Sequence, residues 1–154
     1  KRFEYQRTNA RWEEVGANIE QFKLMRERNT NISLQVCCTV NIFNVYYLAD
    51  VAQWISQQQF DFVYWNMLHD APWLSIAHLP AQAKTDIVAH LTQQSFPSAY
   101  YNEILKIIEF MNNGTCDNTD NILKNIRQLD QRRNESLTAV APELSRILNL
   151  NYEN

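Results

Sequence analysis

The stretch that decides the fold runs from Ile32 to Leu68: "ISLQVCCTV" (32–40), "NIFNVYYLADVAQWISQQQ" (41–59) and "FDFVYWNML" (60–68). In its first part Ile32, Leu34, Val36, Cys38 and Val40 alternate with Ser33, Gln35, Cys37, Thr39 and Asn41. Period-two alternation predicts a strand over 32–40 with one apolar and one polar face. Asn44 is a side chain suited to a helix N-cap, and Leu48, Val51, Trp54 and Ile55 follow at helical spacing. The glutamines 57–59 close that helix, and residues 60–68, rich in aromatics, read as a second strand. Strand, helix and strand make a βαβ unit, whose right-handed crossover sets the strands parallel. Both carboxyl ends then lie on one sheet edge, where α/β folds build their sites.

Working outward, Trp12, Val15, Ile19, Phe22 and Met25 mark an amphipathic helix over roughly 10–28, broken by "NTN" at 29–31. Arg2–Gln6 reads as the tail of a loop leaving an earlier strand. Beyond residue 68 the pattern is helical. One segment starts at Pro80 with Ile87, Val88 and Leu91. A second starts at Ser98 with Tyr101, Ile104, Leu105, Ile108 and Met111. A third carries Ile122, Leu123, Ile126 and Leu129, and the last starts near Pro142. "NNGTCDNTD" (112–120) is a polar loop. The expected class is α/β, with a sheet-bearing part over 1–95 and a helical C-terminal part over 96–154 packed on it. Two strands make a poor parallel sheet, so part of the fold on the N-terminal side is expected to lie outside this chain, which opens on Lys1.

Composition narrows the function classes. Of 154 residues, 14 are basic and 17 acidic, with no basic block, so nucleic acid is not indicated as a partner. No apolar run is long enough for a membrane span. Only Gly16 and Gly114 are glycines, which excludes a P-loop and a dinucleotide fingerprint. Three cysteines, without a signal peptide, predict reduced thiols and a cytoplasmic setting. Cys37 and Cys38 point to opposite strand faces and so do not chelate one ion together. Buried structural thiols are the expectation, a ligand or redox role the alternative. The Asn-x-Ser/Thr triplets at Asn31, Asn113 and Asn134 carry little weight in such a setting.

"FEYQRTNARWEEVGANIEQF" (3–22), "CCTVNIFNVYYLADVAQWI" (37–55) and "FDFVYWNMLHDAP" (60–72) together resemble the C-terminal half of radical S-adenosylmethionine (SAM) proteins. The likeness is to the SPASM or Twitch type. "LDQRRNESLTAVAPELSRIL" (129–148) resembles the end of such chains. The resemblance implies a partial (βα)6 barrel, of which these are the fifth and sixth strands. It implies SAM and a 4Fe-4S cluster as cofactors, and hydrogen abstraction from an unknown substrate. The cluster motif CxxxCxxC is absent from this chain, so the chain by itself is expected to hold no cluster. Its expected partner is the missing N-terminal half of the barrel.

The same resemblance implies a SAM-binding edge. Arg7, in a "yR" context before a helix, takes the place of an arginine that pairs with the SAM carboxylate. Alternatively it is a solvated arginine near a chain end. Asn41, in "TVN", takes the place of a polar contact to SAM; a turn asparagine is the equal alternative. Asn66, Met67 and Leu68 take the place of the segment that holds adenine. His69 and Asp70 are a possible acid/base pair or a polar loop. His78 and His90 have no metal-like spacing, and Phe43, Tyr46, Tyr47 and Trp54 read as core or rim. No catalytic or metal-ligating residue is assigned. The rival reading is a non-catalytic α/β binding or interaction module.

Overall fold

A computed structural model describes residues 1–115 and 117–150. It is mixed α/β and mostly helical, with β1 (Gln35–Val40) and β2 (Phe62–Met67) adjacent and parallel in one sheet. The register runs from Gln35 opposite Phe62 to Val40 opposite Met67. Between the strands lie a 3-10 turn, Val45–Tyr47, and the helix Leu48–Gln57, which is α3 in chain order. Alternation has the expected effect on burial. Val40 and Trp65 are buried and Val36, Cys38 and Val63 half-buried, under the helices. Gln35, Cys37, Phe62 and Tyr64 lie on the other face and are exposed; Phe62 keeps 65% and Tyr64 62% of its surface. A parallel sheet is ordinarily covered on both faces, so this bare face is the notable feature of the fold.

Four expectations need correction. The strand starts at Gln35, not Ile32. The Asp61 carboxylate accepts the Leu34 N–H at 2.7 Å, and the Leu34 carbonyl takes the Asp61 N–H at 2.8 Å. This side-chain bond stands in for the first rung of the ladder. It also holds the Asp61 carboxyl below its ordinary range, with Arg26 assisting. Arg2–Gln6 is not a loop tail but a short helix, α1, because Tyr5 is drawn into the core. Asn44 does not cap α3; its side chain is spent on the end of β1, as described below. Cys37 is exposed rather than buried, while Cys38 is half-buried, and burial pushes its thiol up to about 12.

The long helix α2 (Trp12–Arg28) lies outside the core and buries no residue completely. It is held at its ends. The Trp12 ring meets that of Trp54 at 4.9 Å, Lys23 donates to Gln58 at 2.9 Å, and Arg26 donates to the Gln59 carbonyl at 2.8 Å. Phe22 and Met25 stay exposed.

The remaining helices are α4 (Ala81–Thr92), α5 (Tyr101–Asn113), α6 (Thr119–Arg133), α7 (Leu137–Val140) and α8 (Pro142–Ile147). Ile87, Leu91, Ile104, Ile107, Met111, Ile122, Ile126 and Leu144 join Val40, Leu48, Ile55 and Trp65 in one core cluster. Core residues from either side of residue 95 therefore pack together. Asn134 ends α6 in the left-handed conformation, φ 52°, a place asparagine tolerates better than most residues. No helix among the described residues is long and apolar enough to cross a membrane.

Candidate functional site

The carboxyl edge of the sheet is built around Asn41, one residue past β1. Its Oδ1 accepts the Phe43 N–H at 2.9 Å, closing an Asx turn. Asn44 then reaches back, accepting the Asn41 N–H and donating to the Thr39 carbonyl, both at 2.9 Å. A carboxamide thus imitates the backbone of a neighbouring strand and seals the end of β1. The turn role of Asn41 is real, and it leaves Nδ2 as the group available to a ligand. That amide donates to Gln6 Oε1 at a long 3.4 Å.

Asn66 and Met67 stand opposite Thr39 and Val40, and the Leu68 N–H follows at 3.4 Å from the Val40 carbonyl. The structure therefore brings Asn41, Asn66, Met67 and Leu68 to one edge; all four side chains are half-buried. Arg7 follows Gln6 directly and ends α1. Its side chain is exposed and makes no hydrogen bond or ion pair among the described residues.

Helix α1 is fastened over this edge. The Tyr5 hydroxyl donates to Asp130 Oδ1 at 2.8 Å, and Arg133 donates to the Tyr5 carbonyl at 2.7 Å. The Tyr5 ring meets Phe43 edge-on at 5.4 Å. Arg2 bonds Asp50 at 2.9 Å with its guanidinium carbon 3.8 Å above the Tyr47 ring. The Tyr47 hydroxyl donates to Glu143 at 2.8 Å. Burial, then this carboxylate, push Tyr47 up to about 12, while a backbone N–H and the hydroxyl hold Glu143 below its ordinary range. Sequence reasoning did not single out Gln6, and it read Asn44 as a helix N-cap rather than as the side chain that seals β1. The visible signal for Asn44 was two asparagines three apart at the end of a strand.

His69 and Asp70 are exposed; the His69 ring rests against Phe110 at 4.8 Å. His90 stacks on Tyr46 at 3.8 Å, and His78 lies in the 3-10 turn Ile76–His78. Among the described residues no group of three His, Cys, Asp or Glu side chains is placed to hold a metal ion. Cys37 and Cys38 diverge, and Cys116 lies outside the described residues. This donor set does not fit a four-iron cluster, which takes four thiolates.

Elsewhere a cavity of about 410 Å³ opens beside the start of α4, lined by Lys84, Thr85, Asn112, Gly114, Thr115 and Asp117. Lys84 is 8% exposed, and its ammonium donates to the carbonyls of Ala77 and Gly114, both at 2.7 Å. Gly114 is required here, since an added Cβ would stand 2.0 Å from the Ala77 oxygen. The cavity is a joint between α4 and α5, apart from the sheet edge.

Comparison with protein-family models, curated proteins and solved structures yields no match.

Proposed function

We propose that this chain is the C-terminal part of a radical SAM enzyme and supplies part of its SAM-binding edge. The observation that carries the reading is the parallel β1–β2 pair whose carboxyl ends present Asn41 beside Asn66–Leu68, with Arg7 next along from Gln6. The chemistry suits the ligand. An exposed guanidinium grips a carboxylate with two parallel bonds. The Asn41 amide donates to a hydroxyl or ring nitrogen, and Met67 and Leu68 offer an apolar surface to adenine. In such a barrel the bare face bearing Gln35, Cys37, Phe62 and Tyr64 would line the interior, with further strands paired along the free edges of the sheet. The cluster and the radical chemistry belong to the N-terminal half, since the residues described here do not fit a cluster; the substrate is unassigned.

The test is SAM titration of a longer polypeptide that includes the upstream half. Arg7→Ala should weaken binding by about 1.5–3 kcal/mol, the range for hydrogen bonds to charged groups, with little change in melting temperature. Unchanged affinity in both Arg7→Ala and Asn41→Ala, with both proteins folded, sinks the proposal.

A second reading is an interaction module without catalysis. The exposed Phe62 and Tyr64 favour it, because such aromatics are enriched in protein interfaces. The coding sequence upstream separates the two. A CxxxCxxC supports the enzyme, and a natural start just before Lys1 supports the module.

A further inference from the structure

We propose that Asn113 is a site of spontaneous covalent modification, in which its side-chain amide is converted to an acid within the folded protein. Three observations converge. Asn113–Gly114 is the one Asn-Gly pair in the chain, and glycine lets its own amide nitrogen approach the preceding side chain without a Cβ in the way. Asn113 is exposed and is the last residue of α5, where helices fray, so the backbone rotation needed for ring closure is within reach. The Gly114 N–H has no hydrogen-bond partner among the described residues, and neither has the Asn113 side chain. By contrast, Asn29, Asn41, Asn44 and Asn125 have their side chains engaged.

The step is the attack of the Gly114 nitrogen on Asn113 Cγ. A new C–N bond closes a five-membered imide, and the bond to the side-chain nitrogen breaks. The proton of the Gly114 N–H leaves with the amide nitrogen as ammonia. Water then opens the imide at either carbonyl, restoring the backbone as aspartyl or rerouting it through the side chain as isoaspartyl. The net change is water in and ammonia out, with no oxidation.

The fold gives this reaction a specific consequence. Gly114 is pressed against Ala77, and its carbonyl holds the buried Lys84 ammonium. The isoaspartyl product lengthens the main chain by one methylene immediately before that anchor. The aspartyl product adds only a charge at an exposed position. The two products therefore differ in how well the α4–α5 joint can close.

The experiment incubates the folded protein at mildly alkaline pH and maps its peptides by mass over time. A parallel sample is kept in denaturant, and Asn113→Gln serves as the control. The expected result is amide-to-acid conversion at Asn113 ahead of every other asparagine in the folded sample, with both products present. Asn113→Gln should lose that signal and keep its melting temperature. The isoaspartyl form, separated by ion exchange, should melt below the aspartyl form. Conversion at Asn113 no faster than at other asparagines, or conversion only in the denatured sample, overturns the proposal.

Discussion

Tyr5 and Asp130 lie 125 positions apart in the chain, and the Tyr5 hydroxyl donates to the Asp130 carboxylate at 2.8 Å inside the core. Asp130 Oδ2 also accepts the Leu137 N–H at 3.0 Å, so one buried carboxylate ties α1 to the start of α7. Tyr5→Phe keeps the ring against Phe43 and removes one hydrogen bond to a charged group. It should lower unfolding free energy by about 1.5–3 kcal/mol, read from the denaturant midpoint. An unchanged midpoint would mean that the clasp contributes nothing.

Lys84 offers a second test. Its ammonium serves the Ala77 and Gly114 carbonyls, and Lys84→Met fills similar space while leaving both without that donor. Stability should fall by about 1–3 kcal/mol, the cost of buried polar groups left unsatisfied. Gly114→Ala meets a backbone oxygen rather than a movable side chain, and should also destabilise, by about 1–3 kcal/mol or more. Equal melting temperatures in all three proteins would refute the account of this joint.

The pair Tyr47 and Glu143 predicts a pH dependence with a definite sign. The Tyr47 pKa is raised from 10.0 to about 12 in the fold, so the folded state holds this proton more tightly than the unfolded one. Its contribution is complete below pH 10.0 and is lost as pH rises to about 12. Glu143 is shifted down, so its contribution is present above its unfolded value of 4.5 and is lost as pH falls through the lower folded value. Tyr47→Phe should therefore show a shallower fall in melting temperature on the alkaline side. A variant that falls as steeply as the parent would show that the bond is not linked to stability.

The adjacent cysteines should react differently. Cys37 lies on the bare face, whereas Cys38 is half-buried with its thiol pushed up to about 12. Thiolate is the nucleophile, so brief alkylation of the native protein near neutral pH should label Cys37 and spare Cys38 until denaturant is added. Peptide mass mapping reads this directly, and equal labelling of the two would contradict the strand orientation.

The βαβ unit was legible because two independent periodicities, two and 3.6, occupy neighbouring segments between residues 32 and 68. The limits of β1 were not, since Asp61 replaces a ladder rung through a side-chain bond from 27 residues away. Helix α1 was hidden for a related reason: five residues carry too little periodicity, and Tyr5 is positioned by Asp130 at the far end of the chain. Of the candidate site, the strand-end residues Asn41 and Asn66–Leu68 could be placed, because position along a strand determines which edge they reach. The actual partners of Asn41 could not. An Asx turn, an Asn44 bridge and a Gln6 contact all satisfy the same amide chemistry, and spacing does not choose among them.

The link from residue 5 to residue 130 also orders events during synthesis. Chains fold as they emerge, amino end first, and a contact waits until both of its residues have left the ribosome. All the residues that pair in the sheet have been made by residue 67. Helix α1, although it precedes the sheet in the chain, has no Asp130 or Arg133 to receive it until residues 130–133 have been made. On the nascent chain α1 can therefore touch the carboxyl edge only through its contacts with Asn41, Phe43, Tyr47 and Asp50, and the clasp that fastens it there closes later.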